Sequence, residues 1–168
     1  MDEKRRYWKE LADDGDAQPD NRSDGCYGVC LVRAEYMPGS ETIVADNSPS
    51  APCGVVFEDD GETGYFYALD LQASDKDQIV DAVHIYNVSQ LTDRGRTSAV
   101  SILWSTDGAK SCLLINGHPH AVFDFNARRG YSRNDYPNSP ALDSARWNST
   151  SHAWDITALQ GFELDGGW

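Results

Sequence analysis

The sequence contains no long hydrophobic run. No stretch of its 168 residues approaches the roughly 20 apolar residues that a transmembrane helix requires. Residues 1–11 combine charged and aromatic side chains, and they contain no apolar core of the kind that a secretory signal needs. Together these absences predict a cytoplasmic protein.

Cysteine is also scarce. The 4 cysteines, Cys26, Cys30, Cys53 and Cys112, are too few and too scattered for a disulfide framework, so we expect reduced thiols. The spacing between Cys26 and Cys30 fits neither a redox pair nor a zinc ribbon. Cys53 and Cys112 stand at the starts of apolar runs, which predicts small buried side chains.

Motifs of the common enzyme classes are missing as well. The chain has no Gly-Lys-Ser phosphate loop, no Gly-x-Ser-x-Gly turn and no dinucleotide-binding fingerprint. We therefore expect no catalytic residues and no cofactor, and a binding protein is favoured over an enzyme.

Basic residues are outnumbered by acidic ones. Lys and Arg number 14 against 27 Asp and Glu, a formal net charge of −13. Residues 1–70 alone hold 16 acidic and 6 basic residues. A field of this sign repels nucleic acid and anionic membranes and favours capture of a basic protein partner. An acidic surface that serves only solubility remains the alternative.

What the sequence does contain is a series of β-hairpin signals. Residues 53–58 and 64–71 flank a Gly-containing turn, and strands over 98–104, 110–115 and 119–125 are joined by turns at 105–108 and Asn116-Gly117. Further strands are predicted over residues 27–36, 42–44 and 79–88. From Asn126 onward the strand signals stop, and residues 128–133 are interpreted as a basic loop.

The two ends of the chain carry helical rather than strand patterns. Residues 1–25 are predicted to form an arm, with a short helix over 1–12 and a flexible linker over 13–25. Residues 26–168 are predicted to form a single β-rich domain, with one or two short helices over 141–162 and Asp155 opening the second. The expected class is α+β, a predominantly antiparallel sheet of about six or seven strands with short terminal helices.

Four acidic residues lie together at the first hairpin turn: Glu58, Asp59, Asp60 and Glu62. Water at an exposed turn screens their mutual repulsion, which disfavours a catalytic carboxylate pair. We predict that these acids, with Tyr65 and Tyr67 of the following strand, bind the partner. A solvated turn without function is the alternative.

Histidines provide the second candidate site. A two-residue turn at Asn116-Gly117 would pair 115 with 118 and 113 with 120, placing His118 and His120 on one face, where both could reach a zinc ion. A third ligand, His84 or His152, would have to come from tertiary structure. The alternative function is therefore a small metal-dependent enzyme or ligand-binding protein that uses the region of His84, His118 and His120, whereas solvated histidines are the simpler interpretation.

Three strings of residues resemble a known family: FEDDGETGYFYALD at 57–70, HIYNV at 84–88, and LINGHPHAVFDF at 114–125 with the following 129–131. As a set they are similar to a bacterial family of small domains of unknown function, over roughly residues 53–133. The resemblance implies a bacterial cytoplasmic protein and supplies no catalytic residues.

Small size, acidity and the missing catalytic set lead to one functional hypothesis. We expect a non-enzymatic protein-binding module, an immunity-type inhibitor that neutralises a cognate bacterial toxin by occluding its active site. A third possibility is a subunit that self-associates through an exposed sheet edge.

Overall fold

Two antiparallel sheets account for most of the chain that the computed structural model describes, which comprises residues 29–92, 94–134, 147 and 151–162. The first sheet has the strand order β1-β6-β7-β8-β9 and the second β2-β3-β4-β5. Their bounds are β1 Val29–Tyr36, β2 Thr42–Asn47, β3 Cys53–Asp59, β4 Thr63–Asp70, β5 Ile79–Asn87, β6 Ser98–Trp104, β7 Lys110–Ile115, β8 His118–Asp124 and β9 Arg129–Ser132.

The sheets stack face to face and also meet at their edges. The chain crosses between sheets after β1 and after β5. Residues of β1 contact β2, and residues of β5 contact β9. At the first edge the Trp104 indole N–H donates to Asp46 Oδ2 at 3.1 Å. At the second, Ser132 Oγ donates to the His84 carbonyl at 2.8 Å.

The core lies between the sheets because alternate residues of each strand point inward. Phe57 and Phe66 of the second sheet and Phe123 of the first are fully buried. The rings of Phe66 and Phe123 stack across the interface with centroids 5.0 Å apart. Burying each such ring stabilises the fold by roughly 1.5–3 kcal/mol, so aromatic side chains dominate the contact between layers.

Most predicted strands are confirmed, including the one over 79–88, but the predicted number of strands was too low. Nine strands occur within the described ranges, and the predicted basic loop over 128–133 contains β9. Its glycine and the neighbouring arginines interrupt any apolar alternation, so the sequence pattern did not indicate a strand. Gly130 fits there because a side chain would collide with Phe123 and Asp81, at 2.8 Å from each.

The Asn116-Gly117 turn has positive φ at both residues, 52° and 80°, as the predicted primed hairpin turn requires. Ile115 pairs with His118 as expected. The predicted pairing of 113 with 120 is wrong, because the register shifts and Leu113 pairs with Ala121 instead. His120 is therefore the extra residue of a β-bulge.

The predicted α+β class is not confirmed, because the described ranges contain 3-10 turns, at Val88–Gln90 and Ile156–Leu159, and no α-helix. Residues 151–153 are extended, with Ala153 bridged to Ser132, which leaves a single turn before Gly161 at φ 90°. Asp155 does open that turn, accepting from the Thr157 N–H at 2.9 Å. Apolar residues of 151–162 cover the outer face of the first sheet.

The arm predicted over residues 1–25 lies outside the described residues, as does most of 141–150. The boundary at residue 26 stays a prediction. In the part of the chain that the structure describes, no helix has the length and apolar character to cross a membrane.

Candidate functional site

The outer face of the second sheet presents its side chains in rows that cross all four strands, because Cα partners in neighbouring strands point to the same side. Nearest the acidic turn is a mixed row, then an apolar row, then a third row at the far end. The rows are Ile43, Glu58, Tyr65 and His84; Ala45, Val56, Tyr67 and Ala82; and Asn47, Gly54, Leu69 and Ile79.

Three of the four predicted acidic residues contribute to this surface. Glu58 lies in the first row, where it is buried to 7% exposure, and Asp60 and Glu62 are exposed at the turn. Together with Tyr65 and Tyr67 they form what we call the acidic–aromatic face, comprising Glu58, Asp60, Glu62, Tyr65 and Tyr67.

Asp59, the fourth predicted acid, points into the core instead and is 1% exposed. Its Oδ1 accepts from the Gly61 N–H at 2.8 Å, and its Oδ2 accepts from the Gly39 N–H at 2.8 Å and the Tyr86 hydroxyl at 2.6 Å. Asp59 follows Phe57 by two positions on a strand, and this period-2 spacing could have identified it as inward-facing. It holds the turn in place rather than presenting a surface charge.

Around Asp59 the hydroxyls of two tyrosines form a buried chain. Tyr86 Oη donates its hydrogen to Asp59 and lies 3.2 Å from Tyr36 Oη, within hydrogen-bond distance. Burial, together with these two hydrogen-bond partners, raises the pKa of Tyr86 well above its usual range. The ring of Tyr86 covers Gly64, where an added Cβ would lie 2.8 Å from it. This packing explains why glycine stands in the middle of a strand.

The rings of the acidic–aromatic face are in contact with one another. Tyr65 and Tyr67 stack with centroids 6.0 Å apart, and Tyr65 meets the His84 ring edge-on at 5.3 Å. Burial raises the pKa of Tyr67, and the nearby Glu58 carboxylate adds to the effect. The Tyr67 hydroxyl therefore remains a protonated donor at physiological pH. Rigid rings beside carboxylates suit protein contact, since tyrosines supply area at low entropic cost.

The predicted histidine ligands are dispersed. His84 lies on the second sheet, where its Nε2 is 2.9 Å from Asn87 Oδ1, whereas His118 and His120 belong to β8 of the first. Burial lowers the pKa of His120 to about 4, and the positive charge of Arg133 adds to the effect. Within the described ranges, no three His, Cys, Asp or Glu side chains are arranged to hold a metal ion.

Cys53 and Cys112 are free and buried, as predicted. Burial raises the pKa of Cys53 to about 11 and of Cys112 to about 12. Thiols of this kind are poor nucleophiles at neutral pH, because the thiolate is the reactive form.

Other aromatic residues of the strands, and the arginines of the predicted basic loop, make contacts elsewhere in the fold. Trp104 and Tyr86 belong to the core. Arg129 and Arg133 lie over the rings of Tyr131 and Trp154, at 4.8 and 4.7 Å from the centroids.

A small cavity opens at the end of the sheets opposite the acidic turn. Its volume is about 220 Å³, below the roughly 300 Å³ at which ligand sites begin. Its walls include Asp70, Arg128 and Trp147 but none of the candidate histidines. This cavity therefore gives the alternative ligand-binding function little support.

One buried polar pair was missed by the sequence analysis. His152 Nε2 lies 3.0 Å from both carboxylate oxygens of Asp81, and both residues are buried. The partners stand 71 positions apart in the chain, so no local pattern links them. The pair ties the C-terminal segment to β5.

Comparison with known proteins identifies relatives without assigning an activity. The model of a family described as uncharacterized proteins conserved in bacteria (DUF2251) matches residues 36–163. An uncharacterized protein from Haemophilus influenzae is 51% identical over 83 residues, which are 49% of this chain and 51% of the relative. The chain thus spans about half the length of that curated relative. No solved structure matches the chain.

Proposed function

We propose that this chain, which belongs to the bacterial family DUF2251, is a non-enzymatic protein-binding module whose contact surface is the acidic–aromatic face. The observation that carries the proposal is the placement of exposed Asp60 and Glu62 beside the half-buried, stacked Tyr65 and Tyr67. Carboxylates accelerate encounter with a basic partner, and tyrosines provide contact area once it docks.

The specific role we propose is that of a cytoplasmic immunity-type inhibitor, which neutralises a bacterial toxin by occluding its active site. Many nucleic-acid-cleaving sites are basic because they bind phosphate. An exposed acidic turn, on a chain whose net charge is −13, would associate with such a cleft quickly and in a salt-dependent manner. The buried network of Asp59 supports this role because it holds the turn in one conformation, and preorganisation lowers the cost of binding.

The test is partner capture with matched variants. The face variant carries Asp60→Asn, Glu62→Gln and Tyr67→Ser, and it leaves Asp59 unchanged. The control variant carries Asp75→Asn and Asp77→Asn, two exposed acids in the β4–β5 loop at the opposite end of the sheet. Each tagged protein is incubated with bacterial lysate at low salt, eluted with rising salt and analysed by quantitative mass spectrometry.

We expect one stoichiometric basic protein to be retained by the wild type and the control and to be lost with the face variant. With the purified partner, the two charge changes should lower the association rate roughly threefold to tenfold at low salt. Co-expression should relieve any toxicity of that partner. Equal retention by the face variant, or no stoichiometric partner for the wild type, contradicts the proposal.

A further inference from the structure

Part of the outer face of the second sheet is buried more deeply than an open sheet face. Val56 of the second row is 1% exposed and Leu69 of the third row is 3% exposed. Their described neighbours in this cluster all belong to the same sheet or to Leu71 directly after β4. Exposures this low are typical of side chains covered from above as well as from the sides.

We propose that residues 4–11 of this chain dock on the outer face of the second sheet. This segment places Lys4, Arg5, Arg6 and Lys9 around the apolar side chains of Tyr7, Trp8 and Leu11. The outer face of the second sheet is complementary to this segment. Its acidic residues Glu58, Asp60 and Glu62 match the basic side chains, and its apolar row matches the rings. The basic groups would meet the acidic turn while the rings pack on Val56 and Leu69.

Charge distinguishes this segment from the others outside the described ranges. Residues 135–146 carry Asp135 and Asp143 against a single Arg146, and residues 163–168 carry two acids and no base. In residues 4–11, by contrast, four of eight side chains are basic and one, Glu10, is acidic, which leaves a net charge of +3. An acidic surface therefore selects residues 4–11 on electrostatic grounds.

The length of chain before β1 is sufficient for this docking. Val29 pairs with Trp104, whose indole bonds to Asp46 of β2, so β1 begins beside the edge of the second sheet. Four strands span about 14 Å from first to last, and a helix of the predicted 12 residues would be about 18 Å long. As a coil, the intervening 16 residues reach about 20 Å.

The docked segment would occupy the face that we propose for partner binding, and a basic partner would have to displace it. The docking itself requires no partner, because it rests on this chain's own surfaces. Its test therefore uses the purified full chain alone, and its failure would leave the partner proposal standing.

The experiment is zero-length cross-linking with a carbodiimide, which joins a lysine amine to a carboxylate as an amide only where the two groups touch. A mixture of ¹⁴N- and ¹⁵N-labelled protein separates links within one chain from links between copies. Lys110 and Asp124, whose charged atoms lie 3.8 Å apart, provide an internal control for folding and reactivity. We expect Lys4 or Lys9 to be joined to Asp60 or Glu62 within single chains.

A pair of variants tests the apolar half of the proposal. The double change Tyr7→Ala with Trp8→Ala should lower the yield of these links at least fivefold, whereas Gln18→Ala should leave it unchanged. The Lys110–Asp124 link should persist in both. The proposal is overturned if Lys4 and Lys9 join other carboxylates or none while the control link forms. It is equally overturned if the links run only between copies, or if they survive loss of the two rings.

Discussion

On the outer face of the first sheet, Cys112 and Val122 lie beneath Ala158 and Leu159 of the C-terminal segment. On the outer face of the second sheet, Glu58 and Tyr65 stand in one row, and the adjoining apolar row holds Val56 and Tyr67, whose ring stacks on that of Tyr65. The first surface is apolar and contacts its own chain through side-chain packing. The second mixes charge with aromatic rings, a composition that adds little to folding and is typical of contact surfaces.

Each surface depends on a buried carboxylate of the second sheet. Asp81 binds His152 and so holds the segment that covers the first sheet, whereas Asp59 holds the turn that projects from the second. Asp81 thus stabilises the segment that covers the first sheet, and Asp59 stabilises the acidic turn of the second. Substitutions in the two regions separate these two roles.

The largest effect is expected from Asp59→Ala. It removes the acceptor of the Gly39 and Gly61 N–H groups and of the Tyr86 hydroxyl, and leaving buried donors unpaired should cost about 3 kcal/mol or more. Urea-induced unfolding measures this loss. Asp60→Asn is the control, since an asparagine side chain also accepts from the Thr63 N–H and should change stability by less than about 0.5 kcal/mol. Equal losses for the two variants would remove the distinction between the inward and outward acids.

A somewhat smaller loss is expected at the covered face. Leu159→Ala removes a buried contact with the first sheet and should cost about 2 kcal/mol, at the low end for leucine because it is 9% exposed. Its matched control is Ile156→Ala in the same 3-10 turn, since Ile156 is 55% exposed and should cost less than about 0.5 kcal/mol. If both changes are neutral in urea unfolding, the segment does not stabilise the sheet.

Strands with strong alternation and Gly-containing turns were predictable from sequence, because local geometry determines them. The positions of the acidic turn and of both tyrosines on β4 were predictable for this reason, whereas their role in binding stays a prediction. Two features were not predictable in the same way. β9 has only four residues, with a glycine and arginine among them, and it forms because β8 provides a partner. The Asp81–His152 pair joins distant positions, which only the stacking of two sheets brings together.

Stability should also depend on pH through Asp46, which lies on β2 at an edge where the two sheets meet. Burial raises the pKa of Asp46 to about 6 from 3.8. Between these values the folded protein keeps a proton that the unfolded chain has released, so the contribution of Asp46 to stability is greatest below pH 4 and falls as pH rises towards 6. The full shift corresponds to about 3 kcal/mol, and partial exposure reduces the expected loss to about 1–2 kcal/mol.

Unfolding of the wild type and Asp46→Asn across this range isolates the effect. The difference in unfolding free energy should change between pH 4 and pH 7 and then remain constant. Any pH-independent offset between the two proteins reports lost hydrogen bonds. The Trp104 and Asn47 N–H groups donate to different carboxylate oxygens of Asp46, whereas asparagine offers only one acceptor oxygen. A pH-independent difference would mean that Asp46 titrates alike in both states.

The smallest change in stability is expected where we propose function. Asp60→Asn combined with Glu62→Gln removes two exposed charges, which should change the unfolding free energy by less than about 0.5 kcal/mol at 0.15 M salt. At low salt the variant should be slightly the more stable, because removal of like charges relieves repulsion that salt otherwise screens. Urea unfolding at the two salt concentrations measures both values. A loss above 1 kcal/mol would show that these acids serve the fold. If the loss is absent, stability does not explain why acids occupy this turn, and two reasons are left, solubility and association with a basic partner, which the capture experiment distinguishes.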